Sequence, residues 1–246
     1  MKFLCVSDQL DPLVYSTGIK ERFKDIDAVF CAGDLPLDYV DFIVSSLNKP
    51  TFFIFGNHNL KEFSFYHKNI RSARHGAGFV PNVNTFTEAQ DYKSFGHGAD
   101  YAGFKVIRVK NISITSSSLH KATPLLIAGA SGSLRYNNGI NQYTEKQMHW
   151  KLLQIVPALI MNKIRYGRFI DIFLTHAAPR HVHDLEDSCH KGFECFNWFI
   201  KKFSPKFLIH GHVHLYDSRA ERITQCGQTT VVNAYGYTII DMPDIL

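Results

Sequence analysis

Short apolar segments of this chain repeatedly end in a side chain that can bind a metal ion. Runs such as Lys2 to Ser7 and Thr51 to Phe55 are rich in β-branched and aromatic residues, which is typical of buried strands. The side chains that follow such runs are Asp8, Asp34, Asn57, His176 and the pair His212 and His214. In open α/β sheets, ligand sites lie beyond the carboxyl ends of the strands. The pattern therefore predicts that these groups gather at one sheet edge.

The segments between the first strands favour a largely parallel sheet. Ile19 to Lys24 and Leu37 to Leu47 predict helices that separate consecutive strands, and alternating strands and helices indicate βαβ units. Near the end of the chain, Cys226 to Gln228 forms a turn typical of antiparallel strands. Tyr143 to Tyr166 predicts a long helix that Pro157 kinks or breaks.

Length and composition indicate one ordinary globular domain. The chain has 246 residues, of which 45% are hydrophobic and 20% are charged. We expect a single domain over residues 1–246. Residues 60–100 show weak periodicity, so we expect either a lid over the site or a surface excursion without a catalytic role.

Charge and cysteine content narrow the range of partners and compartments. The net charge of +5 is spread along the chain, which favours an anionic substrate but does not indicate nucleic-acid binding. The 5 cysteines have irregular spacing, which is typical of reduced thiols. No apolar run approaches the ~20 residues of a membrane span. We therefore expect a cytoplasmic protein without a membrane partner.

The chemistry of the strand-end residues suits metal-assisted hydrolysis. Carboxylates, imidazoles and amide oxygens suit Mn, Fe, Zn or Co, and a carboxylate can bridge two metals about 3.5–4 Å apart. Each residue alone has a simpler explanation, because Asp8 or Asp34 can form a turn or cap a helix, and His176 can be a hydrogen-bonded core histidine. His212 and His214 alternate as in a strand, so their rings are expected on one face.

The ordered set of motifs resembles a known family. Gly33-Asp34, Gly56-Asn57-His58-Asn59, Thr175-His176 and Gly211-His212-Val213-His214 are similar to the GD, GNH, H and GHxH motifs of the calcineurin-like metallophosphoesterases. Val6-Ser7-Asp8 matches the opening of the first motif of that family. The resemblance implies an α/β (α+β) fold of the metallo-dependent phosphatase type, a four-layer αββα sandwich of two mixed β-sheets flanked by helices.

The resemblance also implies a role for each motif residue. Asp34 would bridge two divalent metal ions, Mn²⁺ or Fe/Zn. Asp8 and His214 would bind the first metal, and Asn57, His176 and His212 the second. His58 would contact phosphate and protonate the leaving group. The implied reaction is hydrolysis of a small phosphomonoester or phosphodiester by a metal-activated water at a binuclear site.

The first motif departs from the family pattern. The family has Asp-x-His, whereas this chain has Asp8-Gln9-Leu10, and leucine cannot bind a metal. Asp11 follows, and Pro12 restricts its backbone to extended geometry. Either Asp11 replaces the lost imidazole or the first metal has fewer protein ligands and more water. The alternation of a regular strand would place Asp11 on the opposite face, which favours the water-rich site. The sequence is similar to a bacterial-type branch with this altered motif.

Further polar residues are candidates for substrate binding. Arg135 follows Gly132 in a glycine-rich loop, where its guanidinium either contacts phosphate or lies on the surface. His183 and His190 lie in the segment after His176 and are predicted to line the substrate pocket. The acidic residues between them are either part of that pocket or a solvated face.

Two other functions remain open on the same fold. A nuclease would need a basic groove lined by aromatic residues, and the sequence shows no concentrated basic stripe. A non-catalytic scaffold is the other alternative, because a retromer subunit shares this fold and binds partners. The loss of a ligand at Leu10 favours a scaffold, whereas the presence of Asp34, Asn57 and His58 favours an enzyme.

Overall fold

Two mixed β-sheets form the centre of the structure. The computed structural model describes residues 1–60, 63–66, 98–116, 121–217 and 219–242. Most of the predicted insertion at residues 60–100 lies outside the described residues. The helices are α1 (Ile19–Arg22), α2 (Leu37–Leu47), α3 (Phe63–Tyr66), α4 (Glu145–Tyr166) and α5 (Glu194–Phe203).

The first sheet is built mainly from the N-terminal βαβ units. Its strands are β1 (Lys2–Ser7), β2 (Ala28–Cys31), β3 (Thr51–Phe53), β4 (Ala99–Tyr101) and β13 (Gly236–Asp241). The spatial order is β13-β1-β2-β3-β4, and β1 to β4 run parallel while β13 is antiparallel to β1. The parallel order confirms the arrangement that the alternating strands and helices predict.

The second sheet has four parallel strands with an antiparallel strand at each edge. Its strands are β5 (Val106–Ser116), β6 (Lys121–Ala130), β9 (Ile172–Thr175), β10 (Phe207–His210), β11 (Ile223–Cys226) and β12 (Thr229–Asn233). The order is β11-β12-β10-β9-β6-β5. A small parallel pair, β7 (Ser133–Leu134) with β8 (Gln142–Tyr143), lies in the glycine-rich loop.

Alternating side chains of the strands divide the interior into three apolar layers. Phe3 and Ile127 belong to the layer between the two sheets. Leu4 points to the other face of β1 and packs with α1 and α2 residues such as Ile43. Phe173 packs on the outer face of the second sheet with α4 and α5 residues such as Phe199. Because the central strands are buried on both faces, they appear in the sequence as continuous apolar runs. The fold is the expected αββα sandwich.

The long helix α4 continues through Pro157, so of the two predicted effects of this proline, a kink or a break, the break is wrong. The helix begins after Thr144, which forms a capping box with Gln147, and it ends at Gly167 with φ of 77°. Proline removes the hydrogen bond to the carbonyl group of Leu153. Both Pro157 and Leu153 lie on the exposed face, where water can bond to that carbonyl group.

Two strands have irregular boundaries. The apolar runs on either side of Lys110 form one strand, β5, with a bulge between Val109 and Ser113. The apolar run that starts at Phe169 forms β9 only from Ile172. Just before β9, the buried carboxylate of Asp171 accepts hydrogen bonds from Arg168 and from the N–H of Leu126, and its own N–H donates to the carbonyl of Leu126.

Within the described part of the chain, no helix combines the length and apolar character needed to cross a bilayer.

Candidate metal centre

The predicted ligands lie at the carboxyl ends of parallel strands from both sheets. Asp8, Asp34 and Asn57 follow β1, β2 and β3 of the first sheet, and His176 and His212 follow β9 and β10 of the second. The N–H of Gly211 donates to the carbonyl of His176 at 3.0 Å, and the N–H of Asp8 donates to the carbonyl of Gly33 at 3.2 Å. These bonds fix neighbouring strand ends against each other at one edge of the sandwich.

Several of these residues have a left-handed backbone. The φ angles are 64° at Asp8, 56° at Asp34 and 67° at His212. Non-glycine residues adopt this conformation at a cost of about 1–3 kcal/mol each, and such strain is concentrated at functional sites. The N–H of His212 donates to the Oδ2 atom of Asp8 at 2.9 Å, which stabilises two of these turns at once.

Asp34, His176 and His212 form a buried cluster that could hold a metal ion. One ligand atom from each residue lies within 4.8 Å of the other two. The Nε2 atom of His176 lies 3.3 Å from Oδ2 of Asp34 and 3.1 Å from Oδ1 of Asn57. These neighbours are an imidazole, a carboxylate and an amide oxygen, which together suit a divalent transition metal.

Backbone carbonyl groups fix the tautomers of both histidines. Nδ1 of His176 donates to the carbonyl of Ala32 at 2.9 Å, so its Nε2 faces the cluster. Nε2 of His212 donates to the carbonyl of Cys189 at 2.7 Å, which leaves Nδ1 as the nitrogen that could bind a metal. Histidine ligands commonly bind metals with one nitrogen while the other donates to such an acceptor.

The charges of the cluster are arranged as they would be around a cation. Burial opposes the charged form of His176, but the carboxylate of Asp34 outweighs it and raises the pKa of His176 to about 9. Burial likewise opposes the charged form of Asp34, but the charge and hydrogen bond of His176 lower its pKa to about 2. Burial, together with the charge of His176, lowers the pKa of His212 to about 3. A proton on His176 thus occupies the position between acceptors that a metal ion would take.

A tyrosine that the sequence analysis missed orients Asn57. Nδ2 of Asn57 donates to the hydroxyl of Tyr136 at 3.1 Å, so its Oδ1 faces His176. Asn141 supports the same loop by donating to the carbonyl groups of Phe55 and Gly56. Tyr136 directly follows Arg135 in the glycine-rich loop, but nothing in the sequence pattern links it to Asn57.

His58 and His214 lie at the exposed margin of the cluster. The N–H of His58 donates to Oδ1 of Asp34 at 2.7 Å, which fixes its backbone beside that carboxylate, and its ring is exposed. Nε2 of His214 lies 3.8 Å from Oδ1 of Asp8. That Oδ1 atom is buried and has no hydrogen-bond partner within the described ranges. A buried carboxylate oxygen without a donor is a position that a cation satisfies, so the residues fit a metal.

A family comparison agrees with this geometry. The family model described as calcineurin-like phosphoesterase matches residues 1–216, a range that contains all of the strand-end residues above. The chain belongs to the calcineurin-like phosphoesterase family. This family is one of metal-dependent phosphoester hydrolysis in general.

A solved structure shows the same fold. The chain is similar to the crystal structure of TT1561 of Thermus thermophilus, with a TM-score of 0.57 and 13% identity, over 96% of this chain and 89% of that one. A weaker match is the Thermus thermophilus sulfate thiohydrolase SoxB in complex with glycerol, with a TM-score of 0.39 and 10% identity over 88% of this chain and 36% of that one. No curated protein matches the sequence.

The structure shows how this calcineurin-like phosphoesterase departs from the family at its first motif. Leu10 is 42% exposed, and Oδ1 of Asp11 accepts a hydrogen bond from the N–H of Leu13 at 2.8 Å. Asp11 therefore forms a local turn. The expectation from strand alternation does not apply here, because β1 ends at Ser7 and the chain reverses at Asp8. Whether Asp11 binds metal stays a prediction.

Two of the predicted substrate contacts, Arg135 and His190, have partners of their own. The guanidinium of Arg135 donates to the carbonyl of Gln142 and to Gln147, which places it at the start of α4. The ring of His190 lies beside the cluster, with its centroid 5.2 Å from that of His212, and its Nδ1 bonds to Asp187. Substrate binding by Arg135 and His190 stays a prediction.

His183 belongs to a hydrogen-bonded chain behind the cluster. Its Nδ1 lies 3.0 Å from Nε2 of His210, and its Nε2 lies 2.8 Å from Oγ1 of Thr224. Nδ1 of His210 donates to the carbonyl of Gly211 at 3.0 Å. Burial lowers the pKa of His210 to about 3, so its ring is neutral. In this form Nδ1 donates to Gly211 and Nε2 accepts from Nδ1 of His183. His183 thus supports the end of β10, and its binding of substrate stays a prediction.

Proposed function

We propose that this chain hydrolyses phosphate esters of small molecules at a binuclear metal centre. The observation that carries the proposal is the buried cluster of Asp34, His176 and His212, whose ligand atoms lie within 4.8 Å of one another. Phosphoesterases of this family are metal-dependent, and the strand-end residues here have the donor types that such metals need.

Each residue of the cluster would have a separate task. Asp34 would bridge two cations, with Asp8 and His214 on the first and Asn57, His176 and His212 on the second. The cations, Mn²⁺ or Fe/Zn, would supply Lewis acidity and neutralise the charge of the phosphate. The hydrogen bonds from Asn57 to Tyr136 and from His176 to Ala32 keep these ligands oriented before a metal arrives.

His58 is the proposed general acid. Its backbone is held at 2.7 Å from Oδ1 of Asp34, so its ring lies next to the bridging carboxylate while remaining open to solvent and substrate. From that position the imidazole can bind a phosphate oxygen and transfer its proton to the leaving oxygen.

The net charge supports the proposed anionic substrate, and the free thiols support the proposed cytoplasmic location. A net charge of +5 favours the approach of an anionic substrate. All of the cysteines are free thiols, which agrees with a reducing compartment and with the proposal that the protein is cytoplasmic.

The purified protein with Mn²⁺ should hydrolyse p-nitrophenyl phosphate, its bis ester, or both. Chelation should abolish the activity, and added Mn²⁺ should restore it. The ratio of the two rates distinguishes a phosphomonoesterase from a phosphodiesterase. Full metal content without hydrolysis of either ester would contradict the enzymatic proposal and favour a scaffold.

A further inference from the structure

Two tyrosines enclose His214. The hydroxyl of Tyr216 lies 2.7 Å from Nδ1 of His214, and the ring of Tyr216 meets the imidazole edge-on at a centroid distance of 5.5 Å. On another side, Tyr235 stacks against the imidazole at 4.7 Å with an interplanar angle of 29°. These contacts restrict both the tilt and the rotation of the ring, although the side chain of His214 is 37% exposed.

The nitrogen that Tyr216 does not contact faces an unsatisfied carboxylate oxygen. Nε2 of His214 lies 3.8 Å from Oδ1 of Asp8, whose side chain is 1% exposed. Oδ2 of Asp8 accepts hydrogen bonds from Ser7 and from the N–H of His212, whereas Oδ1 accepts none from the described residues. Two atoms bound to one cation at about 2.1 Å each lie at most about 4.2 Å apart, so the observed separation fits a shared ion.

We propose that Tyr216 is a positioning residue that holds the ring of His214 with Nε2 toward Asp8, the orientation needed to bind the first metal. The proposal rests on the binuclear function proposed above. When Nε2 binds a cation, Nδ1 carries the proton and the hydroxyl oxygen of Tyr216 can accept it, whereas without metal the hydroxyl can donate to Nδ1. The hydroxyl thus holds the orientation of His214 in both states, while backbone carbonyl groups, which only accept, hold His176 and His212.

The altered first motif makes this contact more important. Because Leu10 cannot bind a metal, the proposed first cation loses one of the ligands of the family motif and depends more on Asp8 and His214. With fewer protein ligands, a disordered His214 weakens the site more than it would in a complete one. The tyrosine pair reduces that loss by holding the ring in place before the metal binds.

The test compares Tyr216→Phe with the wild type and with Tyr15→Phe. Tyr216 is 84% exposed and Tyr15 is 51% exposed, so neither loss of a hydroxyl should disturb folding. Metal-stripped proteins are titrated with Mn²⁺ by calorimetry. We expect Tyr216→Phe to bind the weaker equivalent about 10–100-fold less tightly, with the other equivalent unchanged, and Tyr15→Phe to match the wild type.

A second measurement reads the orientation of the ring without metal or substrate. In spectra of the metal-free protein, nuclear Overhauser contacts between the rings of His214 and Tyr235 should be strong in the wild type and weaker in Tyr216→Phe. Unchanged Mn²⁺ affinity or unchanged ring contacts in Tyr216→Phe would overturn the proposal. If the wild type hydrolyses phosphate esters in that case, the proposed function survives. A wild type that binds no second Mn²⁺ and hydrolyses neither ester would overturn both.

Discussion

Nε2 of the fully buried His176 lies 3.3 Å from Oδ2 of Asp34, close enough for a protonated imidazole to pair with that carboxylate when no metal is bound. The imidazolium and the carboxylate stabilise each other, which raises the pKa of His176 and lowers that of Asp34. A cation placed between these residues must displace the proton, since both cannot occupy the same nitrogen. Metal binding and proton release are thus coupled at this pair.

Metal affinity should rise with pH up to about 9. His176 has its pKa raised to about 9 from an ordinary 6.5, so below pH 9 the metal-free protein carries the proton and each binding event must release it. The affinity should increase by up to about tenfold per pH unit between pH 6.5 and 8. Calorimetry at one pH in buffers of different ionisation enthalpy measures the protons released. The same apparent enthalpy in all buffers would show that no proton leaves.

The Asp34→Asn variant should lose its activity and at least one equivalent of metal. In the proposed bridging role the carboxylate would neutralise two cations, whereas an amide of the same shape supplies no charge. Metal analysis and the p-nitrophenyl phosphate assay check this. Asp38→Asn, on the exposed first turn of α2, is the control and should behave as the wild type. Full metal occupancy in Asp34→Asn would rule out the bridging role.

The His58→Ala variant should lose turnover by about 10²–10⁴-fold while its metal content stays nearly intact, because the proposed role of the ring is that of an acid and not of a ligand. The loss should be smaller for p-nitrophenyl phosphate than for an alkyl phosphate, since a good leaving group needs less protonation. His181→Ala, another exposed histidine, is the matched control. Equal losses on both substrates would remove the general-acid role while leaving phosphate contact possible.

Much of this cluster is predictable from sequence, because its ligands follow the strands directly. Buried on both faces, β1 and β2 are continuous apolar runs, and the polar residue after each run stands out. Tyr136 and Tyr216 are not predictable in this way. Their contacts with Asn57 and His214 depend on how loops fold back, and loops have no periodic pattern.

The ends of strands and helices were less predictable than their existence, because the ends depend on contacts with distant residues. Asp171 is buried within an apolar run because Arg168 and the N–H of Leu126 bind its carboxylate, and Leu126 is distant in sequence. The effect of Pro157 depended on which face of α4 is exposed.

The Gly211→Ala variant should lose about 1–3 kcal/mol of folding free energy, because overpacking displaces neighbouring groups. A Cβ atom on Gly211 would overlap Oγ of Ser7 and Oδ2 of Asp8, where β10 meets β1. Chemical denaturation measures the change. Gly18→Ala is the control, since its nearest atoms would be 3.9 Å away. If the two variants were equally stable, the ends of β1 and β10 could move apart without a loss of folding free energy.

The Asp11→Ala and Leu10→His variants address the altered first motif together. The carboxylate of Asp11 accepts a hydrogen bond from the N–H of Leu13. The Asp11→Ala variant should therefore keep its metal stoichiometry and lose about 0.5–1.5 kcal/mol of folding free energy with that hydrogen bond. Release of one metal equivalent from Asp11→Ala would instead make Asp11 a ligand.

Leu10→His restores an imidazole two residues after Asp8 and should tighten the first metal in a Mn²⁺ titration. Leu13→His is its matched control, because Leu13 is 44% exposed in the same turn and an imidazole there should leave the affinity unchanged. If both histidine variants tightened the metal equally, general electrostatic or surface binding would explain the gain, and Leu10 would not mark the position of the missing ligand.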